Sequence, residues 1–143
     1  MAKIPDPSGG IWHRMGDVGY LDEGGRVWFC GRKSHRVVTP QDTLYTIPVE
    51  GVFNTHPKVF RTALVGLGAP GSQQPVLCVE LEQKCGKAGL DRIRLELLEL
   101  GNAYPHTRGI RKILFHPAFP VDIRHNAKIF REKLALWAGG KLL

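Results

Sequence analysis

The sequence predicts an α+β fold in which a small mixed sheet is covered by helices. Three observations predict it: β-rich runs with alternating side chains, an apolar helical stripe over residues 90–100, and an order of hairpin, hairpin, helix, strand, strand, helix, strand, helix. With 143 residues, 43% hydrophobic and 23% charged, the chain matches one soluble domain, or one domain plus an appendage. Disordered, collagen-like and disulfide-scaffold chains are excluded.

The first third of the chain predicts two hairpins after an irregular start. Residues 1–10 are rich in proline and glycine, which favours a loop. Apolar and aromatic residues then flank a turn at 23–25, and further β-rich residues flank the polar segment 39–42. Each of these arrangements is typical of a β-hairpin.

The middle of the chain predicts a short helix followed by two strands. Pro48 suits the first position of a helix that ends before His56. Residues 59–67 and 76–81 are β-rich. In the second run one face holds Leu77, Val79 and Leu81, and the other holds Cys78, Glu80 and Glu82. That alternation predicts a sheet with one buried face.

The last third predicts a helix, a strand and a final helix. The stripe of the first helix consists of Leu90, Ile93, Leu97 and Leu100. Gly101 suits its C-terminal stop, and residues 110–115 suit a strand. The final helix is predicted to be capped by Asn126 and to end at 139–140. Its core side would be formed by Phe130, Leu134 and Trp137.

The net charge of +7 is concentrated at the C-terminal end. Residues 106–143 hold eight Lys and Arg against two Asp and Glu, a net of +6. Such a patch favours an anionic partner, namely nucleic acid, an acidic surface or a phosphate-bearing ligand. The alternative is a solvated basic face without a specific role.

Cysteine and apolar patterns indicate a cytoplasmic protein without a membrane span or signal peptide. Three cysteines, Cys30, Cys78 and Cys85, are an odd number without metal-ligand spacing, which suits a reducing compartment. The histidines at 106, 116 and 125 are scattered, so no metal site is predicted. No run approaches the roughly 18 apolar residues of a transmembrane helix.

Three ordered segments carry a resemblance to a known family. They are residues 12–32, with Gly16-Asp17 and Gly31-Arg32; residues 48–59, with Pro48-Val49-Glu50 and His56-Pro57; and residues 120–131, which end in Lys128-Ile129-Phe130-Arg131. Together they resemble the acyl-adenylate-forming enzymes, which include acyl-CoA synthetases, peptide-synthetase adenylation domains and luciferases. Residues 13–17, 28–33 and 122–134 are most similar to the β-lactone synthetases of bacterial olefin biosynthesis.

The resemblance implies that the chain is an incomplete enzyme. Residues 1–32 would be the terminal hairpin segment of a large N-terminal domain, and residues 33–143 the C-terminal lid after a hinge. No segment resembles the Ser/Thr/Gly-rich phosphate loop of that large domain, so the chain alone is expected to be inactive. The reunited enzyme would use ATP with Mg²⁺, none of it expected to bind this portion alone.

The activity implied is ATP-dependent conversion of a long-chain 2-alkyl-3-hydroxy acid, through acyl-AMP, to a β-lactone. The first alternative is a fatty-acid–CoA ligase that makes acyl-CoA. A distant alternative is a small basic nucleic-acid-binding module, although no zinc-finger or helix-turn-helix signature is present.

The resemblance also assigns roles to six residues. Lys128 would be catalytic, because its ammonium group would neutralise charge that gathers between the carboxylate and the α-phosphate. Asp17 would accept hydrogen bonds from ribose hydroxyls, and Arg32 would donate to ribose or phosphate oxygens. The hinge would consist of Lys33, Ser34 and His35. No metal ligand is assigned.

Each of the three binding residues has a plainer interpretation. Asp17 follows a glycine and suits an ordinary turn. Arg32 suits an exposed strand end. Lys128 would lie in the first turn of a basic final helix, where a lysine is usually only solvated. The helix dipole slightly disfavours a cation there, and that mismatch favours a functional role.

The partners implied are the chain's own N-terminal adenylation domain, a long-chain hydroxy or fatty acid, and other enzymes of an olefin pathway. No nucleic acid is expected. Self-association is a further expectation, because the first hairpin would expose Val27, Trp28 and Phe29 without the sheet it normally joins.

Overall fold

A computed structural model describes residues 2–5, 11–14, 16–125 and 128–142. Within these ranges the strands are β1 (Ala2–Pro5), β2 (Ile11–Arg14), β3 (Asp17–Leu21), β4 (Val27–Arg32), β5 (Val37–Val38), β6 (Thr43–Leu44), β7 (Val59–Leu67), β8 (Gln74–Leu81), β9 (Lys112–Phe115), β10 (Val121–Asp122) and β11 (Lys128–Ile129). The α-helices are α1 (Thr46–Phe53), α2 (Lys87–Asn102) and α3 (Arg131–Leu142). The predicted α+β class and its small mixed sheet are confirmed.

Antiparallel two-stranded hairpins make up much of the chain. Strands β3 and β4 pair as predicted, and so do β5 and β6. Strand β1 pairs with β2, from Ala2 opposite Arg14 to Pro5 opposite Ile11. The prediction of an irregular start is therefore wrong for residues 2–5. A proline at the end of an edge strand does not interrupt the ladder, because no neighbour needs its missing N–H.

Asp22 stabilises the turn between β3 and β4. Its carboxylate accepts the backbone N–H groups of Gly24 and Arg26, each at 2.9 Å. It also accepts Nε of Arg26 at 2.8 Å and Nε1 of Trp28 at 2.9 Å. These hydrogen bonds hold the pKa of Asp22 below its usual value, and the bond from Trp28 has the largest effect. Gly25 completes the turn at a φ of 77°.

The central sheet has the order β7–β8–β9, with β8 antiparallel to β7 and parallel to β9. Helices α1 and α2 cover one face, where Phe53 and Leu97 pack against Leu64 and Leu77. Helix α3 covers the other face, in a cluster with the members Ala63, Val65, Val76, Cys78, Phe119, Leu134 and Ala138. The prediction of a single buried face is therefore wrong, because α3 returns across the second face.

Helix boundaries differ from the sequence expectations. Helix α1 begins at Thr46, so Pro48 is its third residue, a first-turn position where no N–H is needed. Gly101 lies inside α2 and does not end it. A Cβ at Gly101 would lie 2.9 Å from Cζ of Phe53, so the glycine permits close packing of α1 on α2. The pair Gly139-Gly140 likewise lies within α3.

Candidate functional site

Asp17 and Arg32 lie opposite each other at the open end of the β3–β4 hairpin. Oδ1 of Asp17 is 3.1 Å from Nη1 of Arg32, and the side chains are 41% and 47% exposed, respectively. Gly16, at a φ of 80°, lies under the guanidinium group, and its carbonyl accepts the N–H of Lys33 at 2.7 Å. A paired carboxylate and guanidinium with this exposure can still bind hydroxyl or phosphate oxygens.

The predicted hinge residues form one short 3-10 turn, Lys33–His35, directly after β4. Arg32 and Arg36, which flank the turn, are both extended. Lys33 and Ser34 are exposed, whereas His35 is half-buried. The turn therefore connects the first hairpin to the buried Val37 that begins β5.

Lys128 lies on a strand and not in a helix. It is the first residue of β11 and stands opposite Asp122 of β10. The predicted first-turn position in the last helix is wrong, because α3 begins only at Arg131. Asn126, the predicted cap, lies outside the described residues. The exposed Lys128 is thus carried by a strand, three residues before the first residue of α3.

His35 links the hinge to the Lys128 hairpin. Burial lowers the pKa of His35, and the positive charges of Arg131, Lys128 and Arg32 lower it further. Glu132 opposes this effect from a distance of 3.8 Å between Oε1 and Nε2. Because the pKa is below its usual value, the imidazole is neutral at pH 7 and its contact with Glu132 is not an ion pair. The charges of Arg131, Lys128 and Arg32 therefore all act on His35.

Glu50 and Arg131 form a second, largely buried ion pair, and the Arg131 charge acts on His35. Nη2 of Arg131 lies 2.8 and 2.9 Å from the two carboxylate oxygens of Glu50. Neither residue is among the predicted site residues. The signal was present in the two motifs that contain them, but their contact joins positions 81 residues apart.

The described part of the chain offers few other groups for catalysis or metal binding. No group of three or more His, Cys, Asp or Glu side chains among those residues could hold a metal ion. Cys30, Cys78 and Cys85 are free thiols, and burial raises the pKa of Cys78 to about 12. None of the described helices has the length and apolar character needed to cross a bilayer.

No family model matches the chain. Among curated proteins it is 59% identical over 136 residues to the olefin beta-lactone synthetase of Xanthomonas campestris pv. campestris, which covers 95% of this chain and 24% of that protein. The olefin beta-lactone synthetase of Stenotrophomonas maltophilia is 55% identical over 139 residues, covering 97% and 25%. The 4-chlorobenzoate–CoA ligase of an Arthrobacter species is 39% identical over 66 residues, covering 46% and 12%. The chain thus spans about a quarter of the length of the first two relatives.

Solved structures share the fold. The amide bond synthetase McbA of Marinactinospora thermotolerans superposes with a TM-score of 0.72 at 22% identity, covering 95% of this chain and 33% of that one. The O-succinylbenzoate coenzyme A synthetase of Bacillus subtilis, in complex with AMP, gives a TM-score of 0.66 at 21% identity, covering 84% and 23%. Because the first two sequence relatives match almost the whole chain, the chain belongs to the acyl-adenylate-forming family, as a C-terminal domain.

Proposed function

We propose that this chain is the lid portion of an ATP-dependent ligase that converts a long-chain 2-alkyl-3-hydroxy acid to a β-lactone. The observation that carries the proposal is the 59% and 55% identity, over almost the whole chain, to two olefin beta-lactone synthetases. The likeness to a CoA ligase is lower and covers less than half of the chain. The lid would act only together with an ATP-binding domain.

The proposed reaction has two steps, with ATP as a substrate. A carboxylate oxygen of the acid first attacks the α-phosphorus. The bond from that phosphorus to the bridging oxygen breaks, and pyrophosphate leaves. The 3-hydroxyl oxygen then attacks the acyl carbon of acyl-AMP, the acyl–oxygen bond to AMP breaks, and the hydroxyl proton passes to solvent. Hydroxy acid and ATP thereby yield β-lactone, AMP and pyrophosphate.

In this proposal Lys128 contacts the reacting groups and Asp17 and Arg32 bind the nucleotide. The ammonium group of Lys128 would offset negative charge where the carboxylate meets the α-phosphate. Asp17 would accept hydrogen bonds from the ribose hydroxyls, while Arg32 donates to ribose or phosphate oxygens. The exposure of all three side chains, the pairing of Asp17 with Arg32, and the action of the Arg32 and Lys128 charges on His35 support these roles. Mg²⁺, where required, would accompany the ATP phosphates.

The proposed domain division falls between residues 32 and 33. Strand β4 ends at Arg32, and the turn Lys33–His35 that follows would be the hinge. The exposed apolar residues of the β3–β4 hairpin support the presence of a neighbouring domain that covers them. Val27, Trp28 and Phe29 are 68%, 46% and 50% exposed. That neighbour would be the enzyme's own adenylation domain. A cytoplasmic location and contact with further olefin-pathway enzymes complete the proposal.

The test is a chimera in which this chain replaces the matching quarter of the Xanthomonas campestris synthetase. We expect the chimera to catalyse ATP–pyrophosphate exchange with a 2-alkyl-3-hydroxy acid and to release a β-lactone, detected by mass spectrometry. Lys128→Ala should lower the exchange rate by about 100-fold or more, as removal of a transition-state charge contact does. Lys112→Ala, at an exposed lysine of β9, is the matched control. A folded chimera without exchange, or a fully active Lys128→Ala variant, would contradict the proposal.

The second candidate function is acyl-CoA synthesis, favoured only by the 39% identity to a CoA ligase over 66 residues. The chimera separates the two candidates when CoA is added. Lactone as the sole product would support the first proposal, and an acyl-CoA thioester formed at its expense would support the second.

A further inference from the structure

We propose that Glu50 and Arg131 form a positioning pair that sets the location of the Lys128 ammonium group. The proposal rests on the adenylation role given to Lys128 above. It assigns neither residue to contact with substrate, because both act through the backbone that carries Lys128.

The pair ties three elements together at one buried carboxylate. Arg131 donates from Nη2 to both oxygens of Glu50, and the backbone N–H of Leu64 donates to Oε2 at 2.8 Å. Glu50 lies in α1, Leu64 lies in β7, and Arg131 is the first residue of α3. The side chains of Glu50 and Arg131 are only 11% and 15% exposed. The start of α3 is therefore held against the central sheet.

Lys128 is three residues before Arg131, at the end of the short β10–β11 hairpin. The N–H of Phe130 donates to the carbonyl of Pro120 at 2.9 Å, so the two sides of the hairpin meet directly before α3. A displacement of Arg131 would therefore move the base of the hairpin, and Lys128 with it.

A second carboxylate holds the other side of the hairpin base. Oε1 of Glu80, in β8, accepts the backbone N–H of Phe119 at 2.6 Å. Arg61 of β7 donates to the same oxygen from Nε at 3.1 Å and from Nη2 at 2.9 Å. Phe119 is thus held at the sheet by Glu80, which is paired with Arg61, and Arg131 is held there by Glu50. With the Phe119 side of the base fixed by Glu80, the Glu50–Arg131 pair determines where the Arg131 side lies.

Stability alone is a weak reason for this arrangement. Burial raises the pKa of Glu50, although Arg131 and the Leu64 N–H oppose the shift. The desolvation of a buried ion pair often exceeds its attraction, and apolar replacements are frequently neutral or stabilising. The contacts from Nη2 of Arg131 to both carboxylate oxygens of Glu50 instead restrict the orientation of Arg131. Precision at this position matters because a displacement of about 1 Å can cost about 100-fold in rate.

The test uses the chimera described above, with the variants Glu50→Gln, Arg131→Met and their combination. Glutamine retains an oxygen for the Leu64 N–H, and the combined variant leaves neither charge unpaired in the interior. We expect each variant to lower kcat for ATP–pyrophosphate exchange by about 10- to 100-fold. KM for the acid should change by less than about 2-fold, because the acid binds elsewhere. A control pair, Asp91→Asn with Arg94→Met, removes an ion pair of α2 and should leave both constants unchanged.

A double-mutant cycle with Lys128→Ala decides between positioning and general support of the fold. If Glu50 acts through Lys128, the combined Glu50→Gln and Arg131→Met changes should have little further effect once Lys128 is alanine. Full multiplication of the two losses, or an unchanged kcat in the combined variant, would overturn the positioning role. Loss of kcat that tracks a fall in Tm across all variants would also overturn it. A fully active Lys128→Ala variant would instead refute the proposed function, so the two failures are distinguishable.

Discussion

Asp17 and Arg32 stand opposite each other in the β3–β4 ladder, with Oδ1 and Nη1 3.1 Å apart, at the end of the hairpin next to the hinge turn. The two residues are separated by 15 positions in the chain, and the turn built around Asp22 together with a register shift between Val18 and Gly19 places them opposite each other. A carboxylate acceptor and a guanidinium donor thus share one solvent-facing edge. The proposed nucleotide contacts depend on this pairing.

Removal of the Asp17 charge should weaken nucleotide binding and leave the fold intact. In the chimera, Asp17→Asn is expected to raise KM for ATP by about 10-fold, because hydrogen bonds to a charged group contribute about 1.5–3 kcal/mol. Tm should stay within about 2 °C, since exposed ion pairs contribute little to stability. Asp91→Asn, at another exposed ion pair, is the control. An unchanged KM for ATP would contradict the ribose role of Asp17.

The chain should lose stability as pH falls below about 6.5, the ordinary pKa of histidine. The pKa of His35 is lowered by burial and by the charge of Arg131, so the folded state binds fewer protons than the unfolded state over this window. Its stabilising contribution is complete above pH 6.5 and is lost as pH falls through the lowered pKa. Urea unfolding between pH 7.5 and 5 should therefore show a falling midpoint. His35→Gln should reduce that dependence, and an identical slope would contradict the assignment.

Two other groups modify the same pH profile, and their signs differ. Burial also lowers the pKa of His116, so part of the loss on acidification should remain in His35→Gln. Glu50 acts in the opposite direction, because a raised carboxyl pKa costs stability as pH rises through it. Among the wild type and the two histidine variants, the double variant His35→Gln, His116→Gln should show the smallest fall in urea midpoint between pH 7 and 6.

Two helical glycines should respond to alanine in opposite directions. In Gly101→Ala the new Cβ would lie 2.9 Å from Cζ of Phe53 and 3.3 Å from the carbonyl of Thr107. We expect a destabilisation of about 1–3 kcal/mol from overpacking between α1 and α2. Gly51 of α1 has no atom within 4 Å of the corresponding position, so Gly51→Ala should stabilise by about 0.5–1 kcal/mol. Urea midpoints that shift in the same direction would contradict this view of the packing.

The isolated chain should self-associate through the β3–β4 hairpin. Val27 and Phe29 alternate with Trp28 along β4, and all three side chains are exposed. We expect a concentration-dependent increase in sedimentation coefficient, because an uncovered apolar sheet face favours pairing. Val27→Thr with Phe29→Thr should abolish the increase. Leu136→Thr, at an 81% exposed leucine of α3, should not. A monomer at every concentration would refute the expectation.

Local sequence signals identified most secondary-structure elements and failed where distant contacts decide. The alternation of Leu77 and Val79 with Cys78 predicted the strand, but not that α3 would bury Cys78 from the other side. Gly101 has the local signature of a helix stop, yet it lies inside α2, where a Cβ would be only 2.9 Å from Cζ of Phe53. Lys128 was expected in a helix, because pairing across β10 and β11 is invisible in helical periodicity.

Local sequence patterns were enough to predict the α+β class, the two early hairpins and the motifs that carry the family resemblance. Turn chemistry and side-chain periodicity are local properties, so they can be followed along the chain. Tertiary packing alone established that Glu50 binds Arg131 across 81 residues and that the charges of Arg32 and Lys128 both act on His35. Those contacts depend on how helices close over both faces of the sheet. No local pattern encodes the choice, because burial and charge pairing are settled only when all the elements pack together.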